Sequence, residues 1–140
     1  NRCTVINDSY SNDLSSLKLA LDFLQQQQQH PRKAVILSDI PQSRVPDQDL
    51  YREVAALLKQ HKIQSVRGIG PAISSFASEF RDAGLEAEFW LSTEEFIFHF
   101  NPLMFRDETI LIKGARSFGF EQINQLLETS EIFSTKEEIR

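Results

Sequence analysis

The stretch CTVINDSYSNDLSSLKLALDFL, residues 3–24, decides the fold. Its opening run, Cys3, Thr4, Val5 and Ile6, is short, mostly apolar and rich in β-branched residues, which reads as a buried strand. Leu14, Leu17, Leu21 and Leu24 then recur at steps of three and four, one narrow stripe along a helix. Between the two lies Asn7-Asp8-Ser9-Tyr10-Ser11-Asn12, more polar than a turn requires.

The same alternation repeats along the chain. Buried-strand runs fall at 34–37, 65–69, 87–91 and 109–112. Helical stripes lie between or after them: Leu50, Val54, Leu57 and Leu58; Ile73, Phe76, Ala77 and Phe80; Phe96, Ile97 and Phe100; Phe120, Ile123 and Leu127. Boundary signals agree. Pro71 suits the first turn of the third helix, and Ser92 with Glu95 has capping-box spacing before the fourth. Gly84 closes the third helix and His30-Pro31 ends the first. Strand–helix alternation throughout predicts βαβ units with right-handed crossovers. The fold class is therefore α/β, a three-layer Rossmann-like domain with a mostly parallel sheet. Residues 1–128 form this domain, and 129–140, of mixed charge and little periodicity, read as a tail or linker to a further domain. A chain that starts at Asn1, directly in a strand, reads as a piece of a longer protein.

Bulk properties narrow the function. The chain has 140 residues, a net charge of −5 and 25% charged residues. No Lys/Arg run exceeds two, which argues against nucleic acid as a partner. No apolar run approaches the ~20 residues needed to span a bilayer, so no membrane role is expected. The single cysteine, Cys3, has no internal partner and points to a reducing, cytoplasmic setting; in its strand it reads as a small buried hydrophobe. The glutamine run at 25–29 reads as a solvated helix end.

In a parallel α/β sheet, ligands bind beyond the carboxyl ends of the strands. Polar and small residues collect there: residues 7–12 after the first strand, Ser38-Asp39 with Gln42 and Arg44 after the second, Gly68 and Gly70 after the third, Ser92-Thr93 after the fourth, and Lys113-Gly114-Ala115-Arg116-Ser117 after the fifth. The first and fifth loops make the strongest pairing. Lys113 and Arg116 are cations beside Gly114 and Gly119, where backbone approaches a ligand closely. Arg116 offers a fork for carboxylate or phosphate, and the next helix adds its positive amino end. Asp8 suits a ribose or other hydroxyl, and Tyr10 a ring. The alternative is structural: Asp8 caps a turn, Asp13 or Asn12 caps the first helix, and the two cations form a solvated rim. No G-x-x-x-x-G-K-[ST] phosphate loop is present, and the Gly68-Ile69-Gly70 fragment is followed by Pro71. His30, His61 and His99 lie too far apart to suggest metal-ligand spacing. The residues alone describe a ligand-binding domain rather than a complete enzyme.

These segments carry a resemblance. INDSYSNDLSSLKLALDFL resembles the opening of the C-terminal domain of the Mur ligases, the ATP-dependent amide ligases of peptidoglycan synthesis. The nearest pattern is that of the members that add D-alanyl-D-alanine to UDP-N-acetylmuramoyl-tripeptide. Asp8, Ser9, Tyr10, Ser16, Lys18, Ala20 and Leu21 match. RKAVILSDI, IGPAISSFA and ILIKGARSFGFEQI resemble the later segments, in order, over residues 3–127. Departures fall at Ser11, Asn12, Asp13 and Leu14, at Ser38 and Ile40 against a G-D-M loop, at Tyr51, and at Ala115 against K-G-S-R. Such drift is compatible with a form fused to an alanine racemase. The resemblance implies a ligase whose own N-terminal domain holds the UDP-sugar peptide and whose central domain carries the phosphate loop and Mg2+ ligands. The present domain closes the site. It implies that Asp8, Tyr10 and Ser11, or Asn12 one position on, face the nucleotide, and that Asp39, Lys113 and Arg116 face the dipeptide and reacting carboxylate. This chain alone is then expected to be inactive. Two other readings are a folylpolyglutamate synthase-type domain, whose D-G-A-H-N-P opening is not seen, and a non-catalytic nucleotide-binding module.

Overall fold

The computed structural model describes residues 2–41, 43–130 and the backbone of 133–135. Its elements alternate as the pattern requires: β1 Cys3–Asp8, α1 Leu14–Gln25, β2 Arg32–Ser38, α2 Asp47–Gln60, β3 Ser65–Ile69, α3 Pro71–Ser75, α4 Ala77–Asp82, β4 Glu86–Trp90, α5 Thr93–His99, β5 Glu108–Lys113, α6 Glu121–Glu128 and β6 Phe133–Thr135. The six strands run in the order β4-β3-β2-β5-β1-β6, and every pairing is parallel.

Side chains alternate across the strands and divide the core into two layers. Ile6, Val35, Leu37, Val66 and Leu111 face one side and pack with Leu17, Leu21 and Leu24 of α1, Leu50, Val54 and Leu58 of α2, and Ile73 and Phe80. Val5, Ala34, Ile36, Ile110 and Ile112 face the other, against Phe96 of α5, Phe105, and Ile123 and Leu127 of α6. Crossovers that move in opposite directions along the sheet thus carry helices on opposite faces, as one handedness demands.

Local chemistry explains most boundaries. Asp13, not Asn12, caps α1: its carboxylate accepts from Ser16 N at 2.8 Å while Ser16 Oγ accepts from Asp13 N, a reciprocal capping box. Ser92 caps α5 by accepting from Glu95 N at 3.1 Å. Pro71 is the first residue of α3, and Gly84, at φ +90°, follows α4. Two boundaries differ from expectation. The first helix stops at Gln25, before His30-Pro31, and Gln27 Nε2 donates to the Phe23 carbonyl at 3.1 Å, a side-chain competitor for helical bonding. The single stripe from Ile73 to Phe80 is two helices, broken at Phe76 with φ −115°. Ser75 Oγ there donates back to the Pro71 carbonyl at 2.9 Å.

The segment read as a tail also departs from expectation. Phe133–Thr135 runs beside β1, with Cys3 opposite Phe133 and Val5 opposite Thr135, so the sheet extends past residue 128. The rest of the proposed linker, 131–132 and 136–140, lies outside the described residues, as does Gln42. Cys3 is 1% exposed and burial pushes its thiol upward, consistent with a core hydrophobe. The histidines are held by protein groups: His30 by Thr4 Oγ1 and Asp107, His61 by the Leu57 carbonyl and Asp22, and His99 edge-on to Phe98. Among the described residues no helix is long and apolar enough to cross a membrane.

Candidate functional site

β1 and β2 lead into helices on one face, and β5, lying between them, leads into α6 on the other. Their carboxyl ends therefore part around a topological switch point, the crevice where α/β sheets bind ligands. The register sets Asp8 opposite Lys113 and Leu37 opposite Lys113 from the other side, so the three loops meet at one level.

The first and fifth loops do come together, through each other. Lys113 has no solvent exposure, and its Nζ lies 3.2 Å from Asp8 Oδ2, a carboxylate that is itself buried. The ammonium also donates to the Ser11 carbonyl at 2.5 Å and approaches Ser11 Oγ at 3.4 Å. A buried ammonium needs such a set, because an unpaired charge in the interior is costly. The loop that Lys113 clasps exposes Tyr10, at 45%, and Ser11, besides the capping residue Asp13.

Asn12 is buried, and its side-chain amide donates to the Ser38 carbonyl at 2.9 Å. Ser9 is buried as well. Two polar atoms, Ser9 Oγ and Asn12 Oδ1, are enclosed there without a protein hydrogen-bond partner. Native proteins leave few buried polar atoms unpaired.

Asp39 turns toward α3. Its Oδ1 accepts from Ile73 N at 2.7 Å and its Oδ2 from Ala72 N at 3.2 Å, so it caps a helix whose own cap position is Gly70. A side chain at Gly70 would collide with that carboxylate, and its φ of +135° suits glycine alone. Burial pushes the Asp39 carboxyl up from its usual 3.8, opposed by the two N–H bonds. Next to it, Tyr51 is fully buried, accepts from Ile40 N at 3.0 Å, and has its phenol pushed up to about 12 by burial.

Arg116 is exposed, the first residue of a 3-10 turn, Arg116–Phe118. The helix expected next begins only at Glu121, after Gly119 in the left-handed region, so the 3-10 turn separates Arg116 from the amino end of α6. Gly114 also has a different reason from the one expected: a Cβ there would strike the Phe120 ring. Arg44 is exposed, and Thr93 Oγ1 donates to the Phe118 carbonyl at 2.6 Å, tying the fourth loop to the fifth.

The rim thus has two layers. Asp8, Asn12, Asp39 and Lys113 hold the loops; Tyr10, Ser11 and Arg116 face outward. Sequence reasoning placed Ser38 among the polar residues after β2 and as a departure from a G-D-M loop but gave it no role in the site; the structure makes it the enclosed residue on which the loops converge.

No family model and no curated protein matches the chain. Two crystal structures of MurF from Acinetobacter baumannii are similar in fold, with TM-scores of 0.67 and 0.65, each at 17% identity over 87% of this chain. The chain spans 27% and 26% of their lengths, about a quarter. The three-layer α/β fold is that of the MurF C-terminal domain.

Proposed function

We propose that this chain is the C-terminal domain of an ATP-dependent amide ligase that joins D-alanyl-D-alanine to UDP-N-acetylmuramoyl-tripeptide. The observation that carries the reading is the switch-point rim, with Tyr10 and Ser11 on one loop and Arg116 on the adjacent one, in a domain with the MurF C-terminal fold.

The outward residues suit the two substrates. An exposed tyrosine ring beside the exposed Ser11 fits the ring and hydroxyls of a nucleoside. An exposed guanidinium fits the carboxylate of a dipeptide, or the charge that builds on a phosphorylated carboxyl group. Lys113, Asp8, Asn12 and Asp39 act one step back, as the framework that fixes these three. Holding an amine against an activated carboxyl group in a closed, water-poor cleft contributes several kcal/mol of the barrier lowering in such reactions, roughly 7–11 at the upper limit. The described residues contain no group of three or more His, Cys, Asp or Glu able to hold a metal ion. In this reading Mg2+ and the phosphate chain of ATP are held by the central domain that the family resemblance implies, and no step is routed through this chain for them.

The test is ATP consumption by the full-length protein with UDP-N-acetylmuramoyl-tripeptide present. Turnover that requires D-alanyl-D-alanine supports the reading. Turnover with glutamate and a folate in its place, or nucleotide binding with no ligation, sinks it. The 140-residue chain alone is expected to bind weakly and turn over nothing.

A further inference from the structure

Ser38 ends β2 at the point where the three loops meet, and it is fully enclosed. Its Oγ donates to the Asp39 carbonyl at 2.8 Å and accepts the Ala115 N–H at 2.8 Å. Asn12 Nδ2 approaches the same Oγ at 3.4 Å, while its shorter bond, 2.9 Å, goes to the Ser38 main-chain carbonyl. One residue thus ties together the loops that follow β1, β2 and β5. A serine hydroxyl has one proton and two lone pairs, so these contacts leave little for a ligand.

Ala115 immediately precedes Arg116 and the 3-10 turn. The N–H that Ser38 holds is therefore one residue from the exposed guanidinium. Tyr10 is anchored differently, through Lys113 and the Ser11 carbonyl. Losing the Ser38 hydroxyl would free the Arg116 loop and leave the Tyr10 anchor intact, because Asn12 keeps its bond to the main-chain carbonyl.

We infer that Ser38 is a positioning residue for Arg116: its buried hydroxyl holds the 113–116 loop against β2 and so sets where the guanidinium meets the carboxylate of the incoming amine substrate. The inference rests on the reading of Arg116 given above. Ala115 is 5% exposed, so without the acceptor its N–H stays buried and unpaired unless the loop shifts. The loop shift is the cheaper outcome, and it moves Arg116.

The experiment uses the full-length ligase with Ser38→Ala, measuring KM for D-alanyl-D-alanine and for ATP, and amide hydrogen exchange at Ala115. We expect KM for the dipeptide to rise about 5- to 30-fold, KM for ATP to stay within about twofold, and exchange at Ala115 to quicken. Adding Ser38→Ala to Arg116→Ala should cost little more than Arg116→Ala alone, since one acts through the other. An equal rise in both KM values, or full additivity with Arg116→Ala, would overturn the inference by making Ser38 merely structural. Unchanged exchange at Ala115 would overturn the anchor itself. Absence of any dipeptide-dependent turnover in the unaltered protein would instead count against the functional reading of the rim.

Discussion

Lys113 is an ammonium without solvent, held by Asp8 at 3.2 Å and by the Ser11 carbonyl at 2.5 Å. Removing either charged partner leaves the other buried without this countercharge. Lys113→Met and Asp8→Ala are each expected to cost about 3–5 kcal/mol in urea unfolding, and a loss below about 1 kcal/mol would contradict the clasp. Arg116 is exposed, so Arg116→Ala should leave stability within about 0.5 kcal/mol. That contrast was not legible in the sequence. Lys113 and Arg116 are both cations three residues apart, and only the loop conformation turns one inward and the other out. Asp39 adds a pH dependence. Burial raises its carboxyl above the usual 3.8, so the folded chain holds that proton more tightly than the unfolded chain. Its contribution to stability is full below the unfolded value and is lost as pH rises through the folded one. Relative to Asp39→Asn, the wild type should therefore gain stability on acidification toward about pH 4, read from urea midpoints. A wild type that loses ground to the variant would contradict the burial argument.

At the scale of elements, α3 shows how a short helix is held by a residue far away in sequence. Its cap position is Gly70, and Asp39 from the end of β2 supplies the acceptor to Ala72 and Ile73. Gly114→Ala tests the packing on the other side of the sheet. The new methyl would meet the Phe120 ring, and overpacking of this kind costs about 1–3 kcal/mol, measurable as a lower unfolding midpoint. A neutral Gly114→Ala would return that glycine to a role in ligand approach. Helices and their caps were largely readable, since Ser92 and Asp13 act through local hydrogen bonds and Pro71 through its fixed φ at the first helical position. The break at Phe76 was not. The apolar stripe continues unbroken across it, and the competing bonds come from Ser75 to its own turn and Ser74 to Trp90, one local and one tertiary.

Over the whole molecule, five strands were legible as short apolar or β-branched runs, but the fourth, expected to be buried, is buried only at Trp90, because β4 ends the strand order beside β3. β6 was not legible, being a three-residue edge strand with only one apolar residue, Phe133, in a polar stretch. The loop pairing at the switch point followed from strand order and parallel register, which place the carboxyl ends of β1, β5 and β2 side by side. The division of labour within the rim came only with the structure. The central claim is that two neighbouring loops of one domain serve two different substrates, and the most direct measurement is a pair of kinetic comparisons on the full-length protein. Tyr10→Ala should raise KM for ATP and Arg116→Ala KM for D-alanyl-D-alanine, each by about tenfold with the other constant nearly unchanged. Full activity in both variants, or the same loss toward both substrates, would contradict it.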